Sequence, residues 1–166
     1  MKKYIPFPAS PYEAPLDISF LFADEKPAGK HGFLTVKGDN FVFEDGTIAR
    51  FWGTNLNGGA AFPEKDYAPK LARRLASYGC NMVRLHQIDS EANHPNLFQC
   101  RMGRRISNTQ EYDPESFDRL DYMIYCMKQE GIYIYLDMIT YRKFKSGDGV
   151  ACANELWDNH KWYTHF

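Results

Sequence analysis

Net charge is almost absent from this chain: 20 lysines and arginines stand against 21 aspartates and glutamates, giving −1 at pH 7. That balance supplies no electrostatic footprint for nucleic acid or an anionic membrane, and neither is expected as a partner. Cysteine is scarce, and Cys80, Cys100, Cys126 and Cys152 form no CxxC pair. A disulfide framework is therefore not expected, and free, largely buried thiols are. Long apolar runs are missing too, with no stretch approaching the roughly 18 apolar residues of a membrane span. The opening Met1-Lys2-Lys3-Tyr4-Ile5-Pro6 lacks the apolar run of a secretory signal, the pattern of a cytoplasmic chain or of one whose leader has been removed. Gly58-Gly59 lacks the GxGxxG or Walker-lysine context of a phosphate loop. His86-Gln87-Ile88-Asp89 has no second ligand pair at a metal-binding spacing. No metal and no cofactor are expected.

What is present is an ordinary globular composition, 44% hydrophobic and 25% charged, long enough at 166 residues for one core. Aromatic residues are plentiful at 16%; such rings fill cores and also suit sugar-binding clefts. Arg101, Arg104 and Arg105 form a short basic cluster in a polar loop and read as a solvated face.

Residues 1–30 are irregular and proline-rich, the pattern of a surface-running segment. Phe33–Val36 reads as a short strand, and 40–44 and 47–52 flank Asp45-Gly46, a two-residue hairpin signal. From Phe51 the pattern changes to strand (51–57), helix (66–78), strand (81–86), long polar loop, helix from Asp113-Pro114, and strand (132–137). Asp66 is the expected cap of the first helix, Pro69 falls in its first turn and Gly79 stops it; Gly131 stops the second. Ala68, Leu71, Ala72, Leu75 and Tyr78 form one apolar face, and Phe117, Leu120, Ile124 and Met127 the other. This alternation predicts βαβ units on a parallel sheet, hence an α/β fold. The stretch from Ile139 onward reads as polar and aromatic loop.

Ligands of parallel α/β proteins bind at the carboxyl ends of the strands. Three predicted strands end in hydrogen-bonding groups: Asn55 and Asn57; Arg84, His86 and Asp89; and Asp137, followed by Tyr141 and Arg142. A guanidinium within Met-Val-Arg-Leu-His needs a carboxylate or equivalent partner. Arg84 therefore orients an acidic residue or a ligand hydroxyl, or else it closes a structural ion pair. His86 is a cleft residue or a satisfied core histidine. Asp89 and Asp137 are catalytic carboxylates or loop-ordering ones.

Several stretches together resemble a known family. Pro27-Ala28-Gly29-Lys30-His31-Gly32-Phe33, Phe43-Glu44-Asp45-Gly46-Thr47, Arg50-Phe51-Trp52-Gly53-Thr54-Asn55-Leu56 and Gly79-Cys80-Asn81-Met82-Val83-Arg84-Leu85-His86 are similar to the opening of large bacterial cellulase-like glycoside hydrolases of the retaining (β/α)8 clan. Asp113-Pro114-Glu115 through Tyr135-Leu136-Asp137 resembles their second helix and third strand. The resemblance implies a TIM-barrel fold with residues 1–50 as an N-terminal segment and hairpin and 51–166 as the first three βα units. It implies a carbohydrate substrate, with Arg84 near the nucleophile and His86 and Asn55 as cleft residues; their strand-end positions add Asp89, Asp137 and Tyr141 to the expected substrate-binding set. It also implies two catalytic glutamates about 5–5.5 Å apart, the acid/base after an asparagine on the fourth strand and the nucleophile on the seventh. Three strands do not reach either. No apolar strand precedes Asn154-Glu155, so this pair reads as a loop dipeptide.

The expectation is thus an incomplete barrel, the N-terminal fragment of a glycoside hydrolase acting on β-linked polysaccharide or oligosaccharide and inactive as this chain alone. The alternatives are a non-catalytic carbohydrate-binding or assembly module with stacking rings around Tyr141, Trp157 and Trp162, and a complete small α/β protein that is barrel-like only locally. An open barrel face also implies self-association or a partner supplying the missing half.

Overall fold

A β-hairpin opens the regular structure of the computed structural model, which describes residues 16–98, 106–151 and 153. Strand β1 (Leu34–Lys37) pairs antiparallel with β2 (Asn40–Phe43), Lys37 facing Asn40 across Gly38 and Asp39. Gly38 sits at φ 58°, the left-handed backbone that this two-residue turn requires. The Asp45-Gly46 turn also forms, with Gly46 at φ 89° and the Thr47 N–H donating to the Asp45 carboxylate. The expected third strand (47–52) shrinks to a bridge between Val42 and Ile48. Ahead of the hairpin, the expected irregular segment contains a kinked 3-10 stretch, Ser19–Glu25.

Strands β3 (Gly53–Asn57), β4 (Met82–His86) and β5 (Tyr133–Leu136) form a second sheet in the order β3-β4-β5. The Tyr133 N–H donates to the Asn81 carbonyl at 2.9 Å, and four residues later Asp137 N–H donates to Leu85 at 3.4 Å. An equal advance on both strands is the parallel pattern. Gly53 lets β3 approach β4, since a Cβ there would lie 2.6 Å from the Met82 carbonyl oxygen. Buried Asn81 ties the lead-in to β3: its carboxamide accepts from Trp52 N–H and donates to the Arg50 carbonyl, both at 2.7 Å.

Helix α1 spans Ala68–Ser77, with Pro69 in its first turn. Its N-cap is Tyr67, not the expected Asp66, and no side chain caps it. Gly79 at φ 80° ends it, with Gly79 and Cys80 N–H returning to Ala76 and Leu75. The most buried line along α1 is Ala68, Ala72 and Ala76, while Tyr78 is exposed. Helix α2 spans Pro114–Gln129, and the expected Asp113 cap forms, accepting from Ser116 N–H at 2.9 Å. Leu120, Met123, Cys126 and Met127 are its buried apolar positions; Phe117, expected on that face, is exposed. The chain is therefore mixed α/β around a parallel three-stranded sheet.

Contacts divide the chain into two units, each made of separate stretches. One comprises Met1–Thr54, Lys65–Val83 and Ile124–Ile134. In it, Phe43 stacks on Tyr133 at 5.4 Å, and Phe51 meets both rings edge-on. The other comprises Asn55–Glu64, Arg84–Met123 and Tyr135–Phe166, with Phe62, Leu85, Ile88 and Met123 fully buried in it. Cys80 and Cys126 are buried and take part in no disulfide. Cys100, Cys152, the Arg101–Arg105 cluster, Asn154-Glu155, Trp157 and Trp162 lie outside the described residues.

Candidate functional site

Alternation along β4 decides which side chains are available. Successive strand residues face opposite ways, so burying Val83 and Leu85 turns Arg84 and His86 to the other face. Both reach Asp137, the residue that follows β5. Arg84 Nε donates to the two Asp137 oxygens, each at 3.1 Å, and Nη2 lies 2.8 Å from Oδ2. His86 Nδ1 meets Oδ2 at 2.5 Å. The Arg84 hydrogen bond draws the Asp137 carboxyl below its usual value, burial opposes this, and the His86 contact adds to the lowering. The same bond to Asp137 raises the Arg84 guanidinium further above its ordinary value.

Access differs sharply across this group. The Asp137 side chain is 9% exposed and that of Arg84 46%. The Arg84 guanidinium also lies 5.9 Å from the centre of the Tyr135 ring, a cation–π contact. Arg84 Nη1 and His86 Nε2 make no protein hydrogen bond among the described residues. One carboxylate thus orients two polar groups, each with bonding capacity left for an external hydroxyl or carboxylate.

Asp89 is placed differently. It is buried, and its two oxygens accept the backbone N–H groups of Thr140, Tyr141 and Arg142 at 2.7, 3.0 and 3.1 Å. Of the two readings of this residue, these bonds describe the loop-ordering one. Tyr141 lies in that loop, and its ring meets His86 edge-to-face at 6.4 Å. Asn55, on β3, is exposed and joins none of these bonds. Arg84, His86, Asp137, Asp89 and Tyr141 are therefore one connected group, and Asn55 stands apart from it.

The loop beyond β5 is fixed by Arg142, which the sequence marked, and by residues it did not single out. Arg142 donates to the Thr109 hydroxyl and carbonyl at 2.8 and 2.9 Å and lies over both Phe98 and Phe144. Asp148 accepts from Thr109 and from Lys145 N–H. Burial pushes the Glu91 carboxyl up, but Lys145 and Lys143 outweigh it and leave it lowered. Glu91 and its lysines are 52 and 54 residues apart in sequence, so no local spacing announced them. No group of three or more His, Cys, Asp or Glu that could hold a metal ion occurs among the described residues, and no helix there is long and apolar enough to cross a membrane.

No protein-family model matches the chain, and no curated protein matches it. Solved structures similar to it include a glycoside hydrolase family 5 protein from Bacteroides vulgatus ATCC 8482, at 22% identity and a TM-score of 0.48 over 67% of this chain and 25% of that one. Another, described as a glycoside hydrolase, has 20% identity and a TM-score of 0.48 over 67% of this chain and 26% of that one. A third, the cellulase Cel5C_n, has 22% identity and a TM-score of 0.43 over 84% of this chain and 42% of its own. The chain thus spans under half the length of each.

Proposed function

We propose that the strand-end group of Arg84, His86 and Asp137, with Tyr141 against it and Asn55 as a separate contact on β3, contributes to the carbohydrate cleft of a retaining glycoside hydrolase. On this reading residues 1–50 lead into the barrel, and 51–166 carry its first three βα units. The observation that carries the proposal is the junction at Asp137. There, an arginine and a histidine from one strand converge on the carboxylate at the end of the next, with nearly half of the Arg84 side chain open to solvent. That is the chemistry of a group made to orient hydroxyls, and the Arg-Phe-Trp-Gly-x-Asn and Asn-x-Val-Arg-Leu-His resemblance points the same way.

In such an enzyme these residues bind and orient the sugar. Leaving-group protonation and covalent attack belong to two glutamates on later strands, so hydrolysis is proposed for the whole protein, not for this stretch of it. The test is calorimetric titration with a panel of soluble β-linked oligosaccharides. Binding by the 166-residue chain, weakened about tenfold or more by Arg84→Ala or His86→Ala, is the expected outcome. Affinity for none of them, or affinity indifferent to both substitutions, would refute the reading. The pure chain should release no reducing sugar; steady release abolished by Glu155→Gln would make Asn154-Glu155 a catalytic pair.

A further inference from the structure

The four residues His86-Gln87-Ile88-Asp89 leave β4 by an unusual step. Gln87 has φ 55° and is the one non-glycine residue at positive φ among the described residues. L-residues adopt this left-handed conformation only at a cost, repaid by what it positions. Directly after it, Ile88 is buried and Asp89 places both oxygens on three consecutive amides of 140–142. Directly before it, His86 bonds Asp137. One short turn therefore grips both the carboxylate that ends β5 and the backbone that follows it.

Those amides belong to the residues that carry Tyr141 to His86. A carboxylate accepting three N–H groups makes charge-assisted bonds, stronger than neutral ones. They fix the direction in which the loop leaves the strand, and hence where its side chains fall. We propose that Asp89 is a positioning residue: acting through the 140–142 backbone, it sets the Tyr141 ring against His86 as one wall of the site, for stacking on the apolar face of a sugar. The sugar-facing role rests on the function proposed above; the positioning does not.

Nuclear magnetic resonance of the 166-residue chain separates the two. In the unsubstituted protein, scalar couplings across hydrogen bonds should join the Asp89 carboxyl carbon to the amide nitrogens of Thr140, Tyr141 and Arg142. In Asp89→Asn the three amides should exchange about tenfold faster or more. The His86 ring-proton resonance should move to the position it takes in Tyr141→Leu. Amides without coupling to Asp89, or a His86 resonance that stays in place in Asp89→Asn while Tyr141→Leu moves it, would overturn the proposal. The first measurement stands even if Asp89→Asn does not fold. With an oligosaccharide that binds, Asp89→Asn and Tyr141→Leu should each weaken affinity, and the double variant no more than either; additive losses would count against positioning. If no oligosaccharide binds, the function falls and the resonance results alone decide the role of Asp89.

Discussion

At Asp137 two cationic-capable side chains share one carboxylate, and the consequence is a stability that depends on acid. The folded carboxyl titrates below the usual value, drawn down by Arg84 first and by His86 against the opposing effect of burial. A carboxylate whose folded value is depressed stabilises the protein fully above the unfolded value, about 3.9, and loses that contribution as pH falls through the folded value. Asp137→Asn should therefore lower stability at pH 7 by about 1–2 kcal/mol, a figure discounted for the exposure of Arg84. It should also flatten the decline between neutral and acid pH. Urea titrations at several pH values measure both, and an Asn variant that is as stable as the parent at pH 7 and as acid-sensitive would show the pair to be idle. Gln87 offers the reverse case. Replacing it by glycine removes the left-handed penalty and should leave stability unchanged or raise it by up to about 1 kcal/mol.

Among the elements, the β1–β2 hairpin depends most plainly on a single backbone angle. A Cβ added at Gly38 would meet nothing within 4 Å, so any penalty for Gly38→Ala comes from φ 58° and not from crowding. About 1 kcal/mol of destabilisation in chemical denaturation is expected, and a neutral result would mean that the turn relaxes into another form. The sequence announced a hairpin at Asp45-Gly46 and not at Gly38-Asp39, because alternating apolar residues flank both turns and only pairing shows which one carries a ladder. Strands β3, β4 and β5 and the Asp113 cap were legible, since short apolar runs, a proline one position after an acidic residue and a terminal glycine are local signals. The cap of α1 was not legible, because Tyr67 fills that position without a side-chain bond. The site divides in the same way. Arg84 called for a carboxylate or equivalent partner, and only the pairing of β4 with β5 shows that this partner is Asp137. The attachment of Asp89 to amides 51 to 53 residues away is tertiary, and nothing local encodes it.

At the scale of the whole molecule, β5 ends one side of the parallel sheet, and no strand among the described residues pairs with it beyond β4. Tyr135, Leu136, Met138 and Ile139 at and after this edge are all exposed. An edge with no further strand among the described residues, beside exposed apolar side chains, favours pairing with another chain. Light scattering should accordingly give a mass above 19.3 kDa that falls on dilution, and Met138→Lys should shift the chain toward the monomer. A monomer that persists at all concentrations and binds no apolar dye would remove this expectation.

Each of the two units is assembled from three separate stretches of chain, and the boundaries fall inside all three strands of the parallel sheet. No single excision in the gene can therefore release either unit intact, and a crossover between Asn55 and Ile134 leaves parts of both on each side of the exchange. Exchange between related genes would be tolerated best outside β3, β4 and β5, and variation in the loops that follow them would accumulate by substitution more readily than by shuffling.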